Sequence, residues 1–161
     1  MTSPAFTHLD GAGHARMVDV TAKQPTVRAA TARASVRCAP ATVAALRDGA
    51  VPKGDVLAVA RIAGIQAAKR CAELLPLAHV IGVHGATVDL AVVEGGVDIE
   101  ATIRTADRTG VEMEALTAVT VAALAVVDMI KGVDRSAVIA DARIVAKEGG
   151  RSGSWTREDE T

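Results

Sequence analysis

The spacing of apolar and polar positions changes several times along the chain, and each change marks an element. From 27 to 38 (VRAATARASVRC), small apolar residues alternate in part with Arg28, Arg33 and Arg37, which predicts a strand. Residues 41–48 (ATVAALRD) predict a short helix stopped by Gly49. Pro52-Lys53-Gly54-Asp55 predicts a turn, with Asp55 placed to cap the next helix. Residues 56–74 predict one long helix. Val56, Val59, Ala60, Ala63, Ala67, Cys71 and Leu74 form its apolar stripe, and Arg61, Gln66, Lys69 and Glu73 fall largely off it. Small residues dominate that stripe, so the helix can lie close against a sheet or a second helix. Leu75-Pro76 ends it.

Two alternating runs come next, 87–93 (TVDLAVV) and 97–105 (VDIEATIRT), joined by Glu94-Gly95-Gly96. A Gly-Gly turn between alternating runs predicts a hairpin. Residues 111–131 predict a second long helix between Gly110 and Gly132, and 138–147 a closing strand. The order is that of a ferredoxin-like α+β sandwich (βαββαβ), an antiparallel sheet with helices packed on one face. The other face is then wet or covered by another copy. Residues 1–16 read as a flexible arm, 17–150 as a single domain, and 151–161 (RSGSWTREDET) as a flexible tail.

Composition narrows the function. The 161 residues carry a formal net charge of −1, so no basic excess points to nucleic acid or an anionic membrane. Phe6 and Trp155 are the sole aromatics, which leaves an aliphatic core and excludes a base-stacking platform. Cys38 and Cys71 stand alone, without the spacing of a zinc site or a disulfide framework. No apolar leader opens the chain, and charges interrupt its apolar runs, so a cytoplasmic protein without a membrane segment is expected.

Several residues could carry chemistry. The second long helix has Glu112 and Glu114 at its start and Asp128 and Lys131 at its end. Asp128 and Lys131 are three apart and share a face. They come after the apolar run 122–127, so a partly desolvated pair is expected there. Glu114 lies about 21 Å of helix from Asp128 at ~1.5 Å per residue. Either the two ends serve different tasks, or two copies bring opposite ends together. The plainer alternative is a helix-end ion pair with acids favouring the N-terminal dipole. His79, after Leu77-Ala78, is a general acid or base, a hydrogen-bonding group, or a surface histidine. A metal site joining it to His84 lacks further ligands. Lys53, between Pro52 and Gly54, suits phosphate contact, acid–base work, or a solvated turn. Gly149-Gly150-Arg151-Ser152-Gly153 could wrap phosphate or simply exit into the tail; neither a Walker A loop nor G-x-G-x-x-G is present.

Seven segments together carry a resemblance: MVDV at 17–20, KGD at 53–55, ARIAGI with AAKR at 60–70, LPL-x-H at 75–79, TGVEMEALTA at 109–118, DM-x-K at 128–131, and GGRSG at 149–153. In this order they resemble the molybdenum cofactor biosynthesis protein C family, the cyclic pyranopterin monophosphate synthases. The resemblance implies a ferredoxin-like hexamer, a trimer of dimers, with sites at subunit interfaces. It implies a lyase acting on a GTP-derived intermediate, (8S)-3',8-cyclo-7,8-dihydroguanosine triphosphate, and releasing pyrophosphate. The family's catalytic residues match Lys53, Asp128 and Lys131. Its substrate-contacting segments match Leu77, Ala78, His79, Met113 and Glu114, with Lys69, Arg28 and the 149–153 loop as further phosphate or interface candidates. No cofactor is implied, although magnesium could accompany the substrate phosphates.

The chain departs from the family pattern at three positions. Ala78 replaces a cysteine, Val80 a proline and Val127 a tyrosine. These departures raise the alternative of a weakened or non-catalytic paralogue that binds a pterin or nucleotide without turnover. Cys71 is expected to sit elsewhere, carried away by the 56–74 helix. A third reading, a metabolite-binding regulatory domain, has no need of Lys53, His79, Asp128 and Lys131 together.

Overall fold

The computed structural model describes residues 9–158; Phe6 lies outside them. Its elements are β1 (Thr26–Arg37), α1 (Pro40–Arg47), α2 (Val56–Ala68), α3 (Cys71–Leu74), β2 (Gly85–Val93), β3 (Gly96–Asp107), α4 (Glu112–Ile130), β4 (Val138–Glu148) and β5 (Trp155–Thr156). The strands form one antiparallel sheet in the order β2-β3-β1-β4-β5. The first four strands have the order expected of a ferredoxin-like α+β sandwich.

Alternation sets the two faces. On β1, Ala30, Ala32, Ala34 and Val36 are buried beneath the helices; on β3 they pair with Ile103, Ala101, Ile99 and Val97. Alanines along this central strand let α4 lie close over the sheet. The other face carries Arg33, Arg37 and Arg143 among Asp98, Glu100 and Asp141. Arg33 meets Glu100 at 2.7 Å, Arg37 meets Asp98 at 3.3 Å, and Arg143 pairs with Asp141. That face is a polar lattice, not an apolar one.

Between the helices the small-residue stripe does what its composition promises. A Cβ at Gly64 would stand 2.9 Å from the Ala118 carbonyl and 3.3 Å from the Ala122 Cβ, so α2 and α4 touch backbone to backbone. Ala60, Ala115, Ala118, Ala122 and Ala123 are fully buried around it. The α4 helix is long and apolar enough to cross a membrane by composition alone, but its apolar stripe is packed on the sheet and on α2.

Two elements differ from the sequence reading. The 56–74 helix is broken. The Arg70 amide bonds to the Ala67 carbonyl at 3.0 Å, and the Glu73 amide to Arg70 at 3.0 Å. These tighter bonds end α2 at Ala68 and start a separate turn, α3, at Cys71. At the far end, Trp155 and Thr156 add a short edge strand to β4, and the Arg157 guanidinium stacks 5.5 Å from the Trp155 ring.

Candidate active site

The chemistry-bearing residues collect at the two ends of α4. At its C-terminal end, the Pro52–Gly54 turn delivers Lys53. Gly54 has φ 97°, and its amide bonds to the Val51 carbonyl at 3.0 Å. Asp55 then caps α2 by accepting from the Ala58 amide at 2.9 Å. From this turn the Lys53 Nζ donates to the Asp128 carbonyl at 2.8 Å and lies 3.4 Å from its carboxylate. Lys131 Nζ approaches the other Asp128 oxygen at 2.6 Å. Lys131, then Lys53, hold the Asp128 carboxyl below the usual aspartate range. The expected desolvation of this pair is not seen. Asp128 and Lys131 have side chains 58% and 60% exposed, because Val126 and Ile130 take the buried stripe and turn these two outward.

At the N-terminal end of α4 lies a concavity of about 400 Å³, walled by Leu77, Ala78, His79, Met113 and Glu114 together with Val18 and Lys23. His79 is anchored through Nε2, 2.6 Å from the Val18 carbonyl. An Nε2–H facing a carbonyl leaves Nδ1 as the ring's free nitrogen. Glu114 is 4% exposed, and burial pushes its carboxyl above the usual range. Cys71 sits behind it. Its sulfur accepts from the Thr117 hydroxyl at 3.5 Å and contacts Glu114. The α3 turn sets the thiol under α4 beside Glu114; at 2% exposed and outside the walls of the concavity, it does not take the place of a cysteine at Ala78.

A second concavity of about 410 Å³ adjoins the first and is walled by Lys23, Gln24, Thr26, Arg28, Gly150, Arg151 and Ser152. Arg28 is held open-handed: its Nε donates to the Asp107 carbonyl at 3.0 Å and an Nη to the Arg108 carbonyl at 3.3 Å. Gly150, at φ 73°, passes so near this guanidinium that a Cβ would overlap it. Lys147 links the two concavities, pairing with Glu112 at 3.3 Å and donating to Ser152 at 2.6 Å. Lys69 caps the exposed end of α2 and lines neither concavity. Sequence reasoning missed Lys23, which belongs to both walls. Its only signal was its place just after the 17–20 segment.

Lys53, Asp128 and Lys131 are therefore brought together, and His79, Met113 and Glu114 are brought together, but within one chain the length of α4 separates the two sets. A family model, that of the MoaC family, matches residues 17–150. The chain belongs to the MoaC family. It is 60% identical over 152 residues to a Streptomyces coelicolor protein, covering 94% of this chain and 89% of the relative. It is 56% identical over 154 residues to one from Chloroflexus aurantiacus, covering 94% of each. It is 52% identical over 157 residues to one from Geobacter sulfurreducens, covering 96% of this chain and 98% of the relative. All three relatives are named cyclic pyranopterin monophosphate synthase. The MoaC match spans both ends of α4, the Lys53 turn and the His79 loop.

Proposed function

We propose that the chain is a cyclic pyranopterin monophosphate synthase, a lyase of molybdenum cofactor biosynthesis. It converts (8S)-3',8-cyclo-7,8-dihydroguanosine triphosphate to cyclic pyranopterin monophosphate and releases pyrophosphate. The observation that carries this reading is the meeting of Lys53 with Asp128 and Lys131, in a chain that matches named synthases over nearly its whole length.

The reaction opens the imidazole ring of the purine, closes a pterin ring and forms a cyclic phosphate. Ring opening and closing need repeated proton transfers at nitrogen and carbon. Two ammonium groups sharing one carboxylate can give those protons, and the amine left by one donation can take the next. His79, Glu114 and Met113 suit the heterocycle: a ring nitrogen and a buried carboxyl offer hydrogen bonds, and Met113 offers an apolar, polarisable surface. Lys23, Arg28 and Arg151 suit the triphosphate, whose departing pyrophosphate gains charge as the cyclic ester forms. Any magnesium is assigned to the substrate's own phosphate oxygens. Among the described residues no three His, Cys, Asp or Glu side chains converge on a metal-sized point.

One protomer cannot supply both halves, so the site is assembled between copies. The Lys53 end of one α4 meets the His79 end of another, within a hexamer built as a trimer of dimers. The charged sheet face and the exposed apolar residues Val59, Ile62 and Leu124 offer surface for such contacts. The protein works in the cytoplasm, where its nucleotide-derived substrate is made.

The test is a pyrophosphate-release assay on the enzymatically prepared intermediate. Stoichiometric pyrophosphate together with the cyclic phosphate product supports the reading. Tight binding without release, at high enzyme concentration, replaces it with the non-catalytic alternative that Ala78 raises.

A further inference from the structure

We infer that Asp134 is a positioning residue that holds the end of α4 against the segment carrying Lys53. This rests on the reading of Lys53, Asp128 and Lys131 as the acid–base group.

Among the described residues Asp134 and Glu114 are the two buried acids, and Asp134 is 6% exposed. Each of its carboxylate oxygens serves a different segment. Oδ2 accepts from the Ala39 amide at 2.7 Å and from the Thr42 hydroxyl at 3.0 Å, where α1 begins. Oδ1 accepts from the Ser136 amide at 2.9 Å and from its hydroxyl at 2.6 Å, in the turn before β4. The Asp134 amide itself closes on the Ile130 carbonyl at 2.9 Å, so the carboxylate is fixed to the last turn of α4.

Oδ2 grips the start of the segment that delivers Lys53. Thr42, Val43 and Leu46 anchor α1 in the interior, the Ala50 amide returns to the Ala45 carbonyl at 2.9 Å, and Val51 is buried just before the turn. Two bridges therefore join this segment to the end of α4. One is Lys53 to Asp128, whose side chains are 45% and 58% exposed and which must come apart for Lys53 to act on substrate. The other is Asp134 to Thr42 and Ala39, which is buried and stays closed. The second bridge keeps the lysine in range while the first opens and closes.

The substitution Asp134→Asn keeps the shape but leaves an amide NH2 facing one pair of donors. A hydroxyl can turn away from it; the backbone amide of that pair, Ala39 or Ser136, cannot. Thr42→Val removes one bond to α1 at constant volume. Ser136→Ala removes one bond within the local turn and leaves the Oδ2 arm whole.

The experiment uses the full-chain oligomer at a temperature where every variant is folded. It measures kcat and KM by pyrophosphate release, and Lys53 acetylation by limiting acetic anhydride, read by mass spectrometry with Lys69 as internal reference. Misplacement of a reacting group predicts a kcat loss of roughly tenfold for Asp134→Asn and about threefold for Thr42→Val, with KM within about twofold. Lys53 acetylation rises in both relative to Lys69, while Ser136→Ala lowers Tm and leaves kcat and labelling at wild-type values. If Asp134→Asn does not fold, Thr42→Val decides alone. Unchanged Lys53 labelling in Thr42→Val, whose lost bond lies on the Oδ2 arm, overturns the inference, whether or not kcat falls. Raised labelling with unchanged kcat upholds the positioning role and removes Lys53 from the chemistry.

Discussion

The two ends of α4 are built on opposite electrostatic plans. At the C-terminal end Asp128 lies in the open between two ammonium groups, is held ionised, and makes its contacts through long side chains. At the N-terminal end Glu114 is enclosed, backed by a thiol, and biased toward its protonated form. An exposed ion cluster is weak by itself, because water competes for every charge. A buried carboxyl is costly when charged. Each end is therefore incomplete as a catalyst: one has ammonium groups and an ionised carboxylate without enclosure, the other has an enclosed carboxyl and a histidine without, among the described residues, a cation to pair them. In the proposed assembly two copies complement each other, since the wall of one chain would exclude water from the lysines of the other.

The comparison can be broken most sharply at the solvated end. Lys53→Ala or Lys131→Ala should lower kcat by about 10³-fold or more, the scale of lost acid–base catalysis. Because both lysines are exposed, Tm should move little, and circular dichroism with a thermal scan checks that the fold survives. Between the two ends, Gly64→Ala forces a methyl group toward the Ala118 carbonyl. It should cost about 1–3 kcal/mol of stability by overpacking, read as a lower Tm or denaturant midpoint.

The enclosed end should respond in the opposite sense. In Glu114→Gln the burial penalty on the charged form disappears. The folded carboxyl titrates above its ordinary value near 4.5, so the wild type loses stability as pH rises through that range and beyond. The glutamine variant should therefore be more stable than wild type at neutral pH, with the advantage vanishing below about 4.5, while its activity falls. An unchanged or lowered Tm at neutral pH would contradict the buried-acid account. The smallest effect is at Asp134, where hydrogen bonds from Ser136, Ala39 and Thr42 lower the carboxyl to about 2 from its ordinary 3.8. Its stabilisation is complete above the ordinary value and is lost as pH falls toward about 2, so the Tm gap between wild type and Asp134→Asn should close across that window.

Much of this layout could be read from residues alone. Alternation located β1, the hairpin and β4 within a residue or two, because one sheet face is buried and the other charged. Asp55 announced the start of α2, and the length of α4 announced that its ends could not share one pocket. Other features were not legible. The break after Ala68 has no proline or glycine to mark it, so periodicity ran on to Leu74. The exposure of Asp128 and Lys131 was hidden because an apolar run does not say which of its neighbours face outward. Lys23 became a wall of two concavities through the path of the backbone, and Asp134 became a clamp through partners 92 and 95 residues away. Such long-range convergence leaves no local spacing to read.

Subunit complementation tests the central claim most directly. Lys131→Ala and His79→Ala chains, each inactive alone, are co-expressed with different tags, and the mixed oligomers are isolated. A site that takes its lysines from one copy and its histidine from another is restored in mixed pairs. Random pairing then predicts recovery to about a quarter of wild-type turnover. Mixed oligomers that carry both tags and still release no pyrophosphate would show that the two ends of α4 do not meet across subunits.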